Sequence, residues 1–251
     1  MNNTNRRSFL RNVSLGSLAA LSLPEIVAAA APAEKSPKIA LKKDCTILFQ
    51  GDSITDVGRK RDNDAPNNNS ALGGGYPLLA ASEMLWQYPD RNLKIFNRGI
   101  SGNKVFQLAE RWDADCLALK PDVLSILVGV NDYWHTLTNK YNGTSKVYHD
   151  DLDKLLDRTK QQLPDVQLII GEPYAVKGVK AVDDSWFPTF NEYQVAAKEI
   201  AAKYKAIFIP YQAIYDKAIQ SAPASYWTGD GVHPSVAGAR LMAQGWLNCV
   251  K

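Results

Sequence analysis

Thr46-Ile47-Leu48-Phe49-Gln50-Gly51-Asp52-Ser53-Ile54-Thr55-Asp56 decides how the chain folds. Its first half is a short apolar run of strand formers, the signature of a strand buried on both faces. Its second half turns polar and carries a glycine. A serine placed just past the carboxyl end of a central parallel strand sits where open α/β sheets keep their ligands. Ser53 is therefore a candidate nucleophile. Gly51, Asp52 and Ser53 are also turn-forming types, so a plain strand-to-loop turn is the competing reading of this stretch taken alone.

Working outward, four more runs have the same character. The expected strands are Cys45 to Phe49, Leu93 to Asn97, Val123 to Val128, Val166 to Ile170 and Ala206 to Ile209. Val123 to Val128 is the most apolar of them and so the expected centre. Between them lie segments of helical period. One helix is expected from Tyr76 to Trp86. A second carries Val105, Leu108, Trp112, Cys116 and Leu119 on one stripe. Leu152, Leu155, Leu156 and Leu163 mark another, as do Phe190, Tyr193, Ala197, Ile200 and Tyr204. A short helix is expected over Tyr211 to Gln220. The last is marked by Ala239, Met242, Ala243, Trp246 and Val250, with Pro234 near its start. Strand alternating with helix implies a three-layer α/β/α sandwich around a five-stranded parallel sheet. The stretch Val57 to Gly75 is too long for a routine connection, so it reads as a functional loop beside Ser53 or as a surface insertion.

The first 33 residues read as an address. Asn5-Arg6-Arg7-Ser8-Phe9-Leu10-Arg11 is a twin-arginine pattern, and an interrupted apolar run follows over Val13 to Leu23. The alanines around Ala30 and Ala33 offer small-residue cleavage positions. The apolar run is too short to span a bilayer. The expectation is an exported protein, periplasmic or extracellular, whose mature part is one domain over 34–251. The whole chain has a formal charge of +3. The leader holds Arg6, Arg7 and Arg11 against Glu25, a surplus of two, so the mature part is near +1. That argues against nucleic acid as a partner. Three widely spaced cysteines and three histidines offer neither a disulfide framework nor a zinc spacing. No metal or other cofactor is expected.

Polar segments follow several strand ends and should gather on one edge of the sheet with Ser53. Asn97-Arg98-Gly99-Ile100-Ser101-Gly102-Asn103 follows the second strand, and Gly129-Val130-Asn131-Asp132 follows the third. Asp230-Gly231-Val232-His233-Pro234-Ser235 precedes the last helix. Ester cleavage by a hydroxyl needs a base, an orienting carboxylate and aimed donors for the oxyanion. Ser53 as nucleophile, His233 as base and Asp230 as carboxylate fill the first three roles. The Ser53 N–H, the Gly102 N–H and the Asn131 side-chain amide are the candidate donors. A base that must be neutral implies kcat/KM falling on the acid side, near pH 6–7. Asp56 and Asp132 read as loop braces, as does Glu172; His135 and His149 read as surface or part-buried residues, with substrate contact as the competing role of His135.

These blocks, in this order, resemble the SGNH (GDSL-type) hydrolases. Ser53, Gly102, Asn131 and His233 match the four letters, and Asp230 matches that family's Asp-x-x-His. The longer strings are similar to the branch of acetylxylan-esterase-like carbohydrate esterases: Gly51 to Asp56 with Gly58-Arg59, Gly75-Tyr76, Gly99 to Asn103, Asn131 to Trp134 and Val232 to Gly238. The resemblance implies a flavodoxin-like SGNH fold and a serine esterase acting on acetyl esters of plant polysaccharides. The wider family also includes lysophospholipases and thioesterases. An α/β-hydrolase would instead want Gly-x-Ser-x-Gly, and Thr55 stands where its second glycine belongs. A non-catalytic relative would not need every chemical group retained. Tyr133, Trp134, Tyr174 and Trp227, close to the blocks, are the candidate substrate walls, with core packing as their competing role. The Asn-rich loop before Gly73 and the stretch around Lys177 to Trp186 depart from the pattern. Trp86 is a candidate interface residue of a homo-oligomer.

Overall fold

The computed structural model describes residues 38–251 together with Ser22, Glu25, Ile26 and Val27. The twin-arginine pattern and the cleavage positions lie outside the described residues. Ile26 and Val27 are buried and belong to the main apolar core.

The five strands form a single parallel sheet in the order β2-β1-β3-β4-β5. They span Thr46–Gly51 (β1), Lys94–Asn97 (β2), Val123–Leu127 (β3), Gln167–Gly171 (β4) and Ile207–Ile209 (β5). Each lies within two residues of its expected place. β3 is buried along its whole length, as its composition demands, and sits between β1 and β4. The chain runs from β1 outward to β2, then crosses back to the other side of β1. The crevice above the β1–β3 pair is therefore the switch point, where flavodoxin-like sheets bind ligands.

The helical segments were less evenly legible. Between β1 and β3 lie five α-helices. Ser53–Asp56 (α1) is a single turn, Asn69–Leu72 (α2) another, and Tyr76–Gln87 (α3) a full helix. The stripe from Val105 is not one helix. It breaks into Val105–Glu110 (α4), Trp112–Asp115 (α5) and a 3-10 turn over Leu117–Leu119. The break falls at Arg111, whose guanidinium reaches back to Arg98 O at 2.7 Å and Asn103 Oδ1 at 3.0 Å. The stripe nevertheless buries Val105, Leu108, Trp112 and Cys116.

Val130–Thr138 (α6) is a helix where the sequence pattern predicts only a strand-end loop. Ser145–Gln162 (α7) and Thr189–Lys203 (α8) pack on each other. Tyr211–Ala218 (α9) and Ala224–Trp227 (α10) lead to Val236–Leu247 (α11). Ser235 caps α11 by accepting from Gly238 N at 3.1 Å, so the helix starts earlier than its apolar stripe. It also ends earlier: Val250 lies beyond it and bridges to Ile39.

The long stretch after α1 is built rather than loose. Asn67 docks on the outer side of β2 with three hydrogen bonds. Its N–H donates to Ile95 O at 3.0 Å, its Oδ1 accepts from Ile95 N at 2.9 Å, and its Nδ2 donates to Leu93 O at 2.7 Å. Asn68 caps α2 through Ser70 N and Ala71 N. Among the described residues, no helix is long and apolar enough to cross a membrane.

Candidate active site

Ser53 opens α1, at the point where β1 runs out. Asp52 caps that turn, its Oδ1 accepting from Ile54 N at 3.0 Å. The cap holds the serine on a fixed turn immediately above the sheet. His233 approaches from the loop before α11, and its Nε2 lies 2.8 Å from Ser53 Oγ. Its Nδ1 lies 2.7 Å from Asp230 Oδ2. The other oxygen, Asp230 Oδ1, accepts from Val232 N at 2.9 Å and His233 N at 2.7 Å. Three residues of separation suffice because Gly231 takes φ +97°, a left-handed conformation that suits glycine. Burial works against the Asp230 charge, but the bonds from the His233 ring and the two amides prevail. They hold its carboxyl below the usual range.

The loop after β2 supplies the second part. Asn97 Nδ2 donates to Thr55 O at 2.6 Å and to Leu72 O at 2.8 Å, tying this loop to α1. Asp56 Oδ2 accepts from Ser101 N at 2.9 Å and Ser101 Oγ at 2.8 Å, and pairs with Arg61 at 2.7 Å. Burial disfavours the Asp56 charge; Arg61 and Ser101 outweigh it and lower its pKa. Asp56 is thus the loop brace its position suggested. Gly102 follows at φ +83°, again a left-handed backbone.

Asn131 stands in the first turn of α6, buried, with Nδ2 donating to Asn103 O at 3.3 Å. A primary amide carries two N–H groups, so the second remains for a ligand. Asp132 Oδ1 accepts from Val105 N at 3.2 Å and so joins α6 to the Gly102 loop. All five catalytic candidates of the sequence reading therefore stand on loops or helix starts tied together at the carboxyl edge.

The four aromatic candidates separate. Tyr174 is fully buried, and its hydroxyl donates to Val232 O at 2.8 Å. It supports the His233 loop from below and does not line a surface. Trp227 is buried too, its indole N–H donating to Ala222 O at 3.2 Å. Tyr133 is buried among Trp186, Phe190 and Tyr193. These three follow core packing, because each sits on the inward side of its helix or loop. Trp134 alone is half-exposed, with its ring centroid 6.1 Å from that of His233 and 5.7 Å from Trp186. The stretch around Lys177 to Trp186 thus backs the site: Ala181 N donates to Asp230 O at 2.9 Å, and Val176 N to Gly231 O at 2.8 Å.

Two buried carboxyls beside the site escaped the sequence reading as titrating groups. Asp52 is pushed up to about 7 by burial. Asp132 is pushed up to about 7 by burial and by the nearby Asp52 charge. The only signal in the sequence was their place next to Ser53 and Asn131. Glu172, pushed up to about 7 by burial, accepts from Gln212 N at 3.0 Å and braces the loop after β4. The native state holds a proton on Asp132 that an unfolded aspartate, near 3.8, releases. Stability from this group is complete below that lower value and is lost as pH rises through about 7. Asp132→Asn keeps the acceptor for Val105 N and cannot ionise. Its melting temperature should gain on the wild type between pH 5 and pH 8, by a few degrees or about 2 kcal/mol at the upper end. Parallel melting curves over that range would refute this by staying evenly spaced.

Asn131→Ala should lower kcat by about 10²–10³, the usual cost of one oxyanion donor. Steady-state kinetics on a soluble acetyl ester measures this, and unchanged kcat would remove Asn131 from the site. Among the described residues, no three His, Cys, Asp or Glu side chains are placed to hold a metal ion. Cys45, Cys116 and Cys249 are buried free thiols, their pKa values raised to about 11, 12 and 12 by burial.

A parallel α/β/α sandwich with a hydrogen-bonded serine, histidine and aspartate at its carboxyl edge is the architecture of a carboxylic ester hydrolase. The chain belongs to the GDSL-like lipase/acylhydrolase family, whose profile matches residues 49–241. It is 33% identical over 205 residues to an acetylxylan esterase of Geobacillus stearothermophilus, covering 80% of this chain and 91% of that one. The solved structure of Axe2, an acetylxylan esterase from the same organism, superposes with a TM-score of 0.74 at 30% identity. It covers 82% of this chain and 94% of Axe2. Catalytic mutants of Axe2 replace a serine, a histidine, or the aspartate three residues before that histidine by alanine. A candidate GDSL-like lipase from Parabacteroides merdae is 51% identical, with a TM-score of 0.84 over 85% of this chain and 98% of that one.

Proposed function

We propose that this esterase is exported and removes O-acetyl groups from xylan-type or other plant-polysaccharide oligosaccharides. The hydrogen-bonded chain Ser53–His233–Asp230, in a protein similar to acetylxylan esterases, carries the reading. Ser53 Oγ attacks the acetyl carbonyl while His233 Nε2 takes its proton. Asp230 keeps the ring proton on Nδ1 and stabilises the imidazolium. The Ser53 and Gly102 N–H groups and the Asn131 amide hold the oxyanion. As it collapses, the proton passes from His233 to the departing sugar oxygen, leaving an acetyl-serine. Water, deprotonated by His233, then attacks that ester; His233 returns the proton to Ser53 Oγ as the acyl bond breaks, and acetic acid leaves as acetate.

Trp134 supports the substrate class: a half-exposed indole beside the base offers a flat face for the C–H side of a sugar ring. The twin-arginine pattern supports export to where polysaccharide fragments are met. The test is acetate release from acetylated xylo-oligosaccharides, run beside nitrophenyl esters of rising chain length and lysophospholipid. Acetyl substrates should be fastest, with activity falling steeply beyond butyryl, as overpacking costs about 1–3 kcal/mol. EDTA should leave the rates unchanged. A preference for octanoyl esters or lysophospholipid would assign the protein to lipid instead.

A further inference from the structure

One polar pair borders the site and has no part in the scheme above. Lys104, two residues after Gly102, is 8% exposed, and its Nζ lies 3.1 Å from His135 Nδ1. The same ammonium lies 5.5 Å from the Phe106 ring centroid and 5.1 Å from that of Tyr141. His135 stands on α6 four residues after Asn131, so the two rise from one face of the helix, one turn apart. Its Cε1 lies 3.9 Å from where a side chain at Gly102 would begin, with no other group that close. The imidazole therefore stands beside the Gly102 backbone and one helical turn from Asn131, the two candidate oxyanion donors outside Ser53.

The pair has a definite chemistry. An ammonium only donates, so Nδ1 must accept and the ring proton must sit on Nε2. Among the described residues, no protein group bonds Nε2. Burial and the Lys104 charge both push the His135 pKa down, which keeps the ring neutral. The charged and titratable groups around it are Lys104, with Asp132 and Tyr141 beyond. Lys104 is lowered by burial and raised again by Asp132, while Tyr141 is raised by burial, Asp132 and Asp151. The ring is thus a poor base, and Ser53 already has His233. Nor is there room for it on the oxyanion, whose three lone pairs meet three donors. An acetyl group beyond its carbonyl ends in a methyl, which accepts nothing. The remaining acceptors are on the alcohol half of the ester.

We propose that His135, fixed as its Nε2–H tautomer by Lys104, determines specificity by donating a hydrogen bond to a sugar oxygen beside the scissile acetyl. This rests on the acetyl-sugar reading above. The test compares His135→Leu and His135→Gln on an acetylated xylo-oligosaccharide and on nitrophenyl acetate. His135→Leu should raise KM for the sugar about tenfold while kcat changes less than about threefold, the pattern of lost uniform binding. The ratio of kcat/KM, sugar over nitrophenyl ester, should fall about tenfold, and His135→Gln should recover part of it. An equal loss of kcat on both esters, or an unchanged ratio, overturns the assignment.

Imidazole ¹⁵N spectra judge the tautomer independently of turnover. His135 should show a bare Nδ1 and a protonated Nε2 between pH 7 and 8, and Lys104→Met should abolish that preference. An Nδ1–H or charged ring in the wild type overturns the proposal. A wild type that cleaves nitrophenyl acetate but no acetylated sugar sinks the acetyl-sugar reading as well. An active wild type with an unchanged ratio sinks only the role of His135.

Discussion

Ser53→Ala is expected to abolish turnover, with a loss of about six orders of magnitude in kcat, the scale of other triad serines. The reason is local. Ser53 Oγ is the hydroxyl held 2.8 Å from His233 Nε2, and alanine leaves that base with nothing to deprotonate. The turn itself should survive, because Asp52 caps α1 through its own carboxyl and the Ile54 amide. Circular dichroism and melting temperature should therefore match the wild type, and a fluorophosphonate should label the wild type alone. A variant that kept even a hundredth of the activity would place the nucleophile elsewhere.

Asp230→Asn is the second large effect. The amide is isosteric and still accepts from the Val232 and His233 N–H groups through Oδ1. Facing His233 Nδ1 in place of Oδ2, however, is then Nδ2, an N–H donor. That donor shifts the ring to its Nε2–H tautomer, which cannot take the serine proton. The corresponding change in a serine protease triad costs about 10⁴ in kcat, and a similar loss is expected here. Kinetics on an acetyl ester with a structure check by melting temperature decides it. A loss under about tenfold would mean that the carboxylate is a brace for the turn and no more.

The sequence carried the sheet well because parallel strands buried on both faces must be continuous apolar runs, and β1 and β3 are such runs. The candidate site was legible for a related reason: Ser53, Asn131 and His233 each follow a strand or precede a helix at the carboxyl edge. Helix boundaries were harder. Nothing in the periodicity around Val105 reports that Arg111 would fold back on Arg98 and Asn103, since that bond depends on two loops meeting. The aromatics failed for a similar reason. Tyr133 and Trp134 are adjacent, yet one is buried and the other half-exposed. Only the direction of α6 decides between them, and that direction is tertiary. Lys104 and His135 lie 31 residues apart and form a pair only because the loop after β2 and helix α6 converge.

The docking of Asn67 on β2 has a consequence for how the protein behaves in crowded solution. A sheet's outermost strand is a template on which another chain's strand can grow, and proteins that leave one bare tend to aggregate. Here the template is occupied at Ile95 and Leu93 by the protein's own asparagine. The same segment continues through Leu72, whose carbonyl receives the Asn97 amide that also holds Thr55. One connection thus covers the β2 edge and steadies the turn that bears Ser53. Trimming this segment would bare a sticky edge and loosen the Ser53 turn in the same stroke.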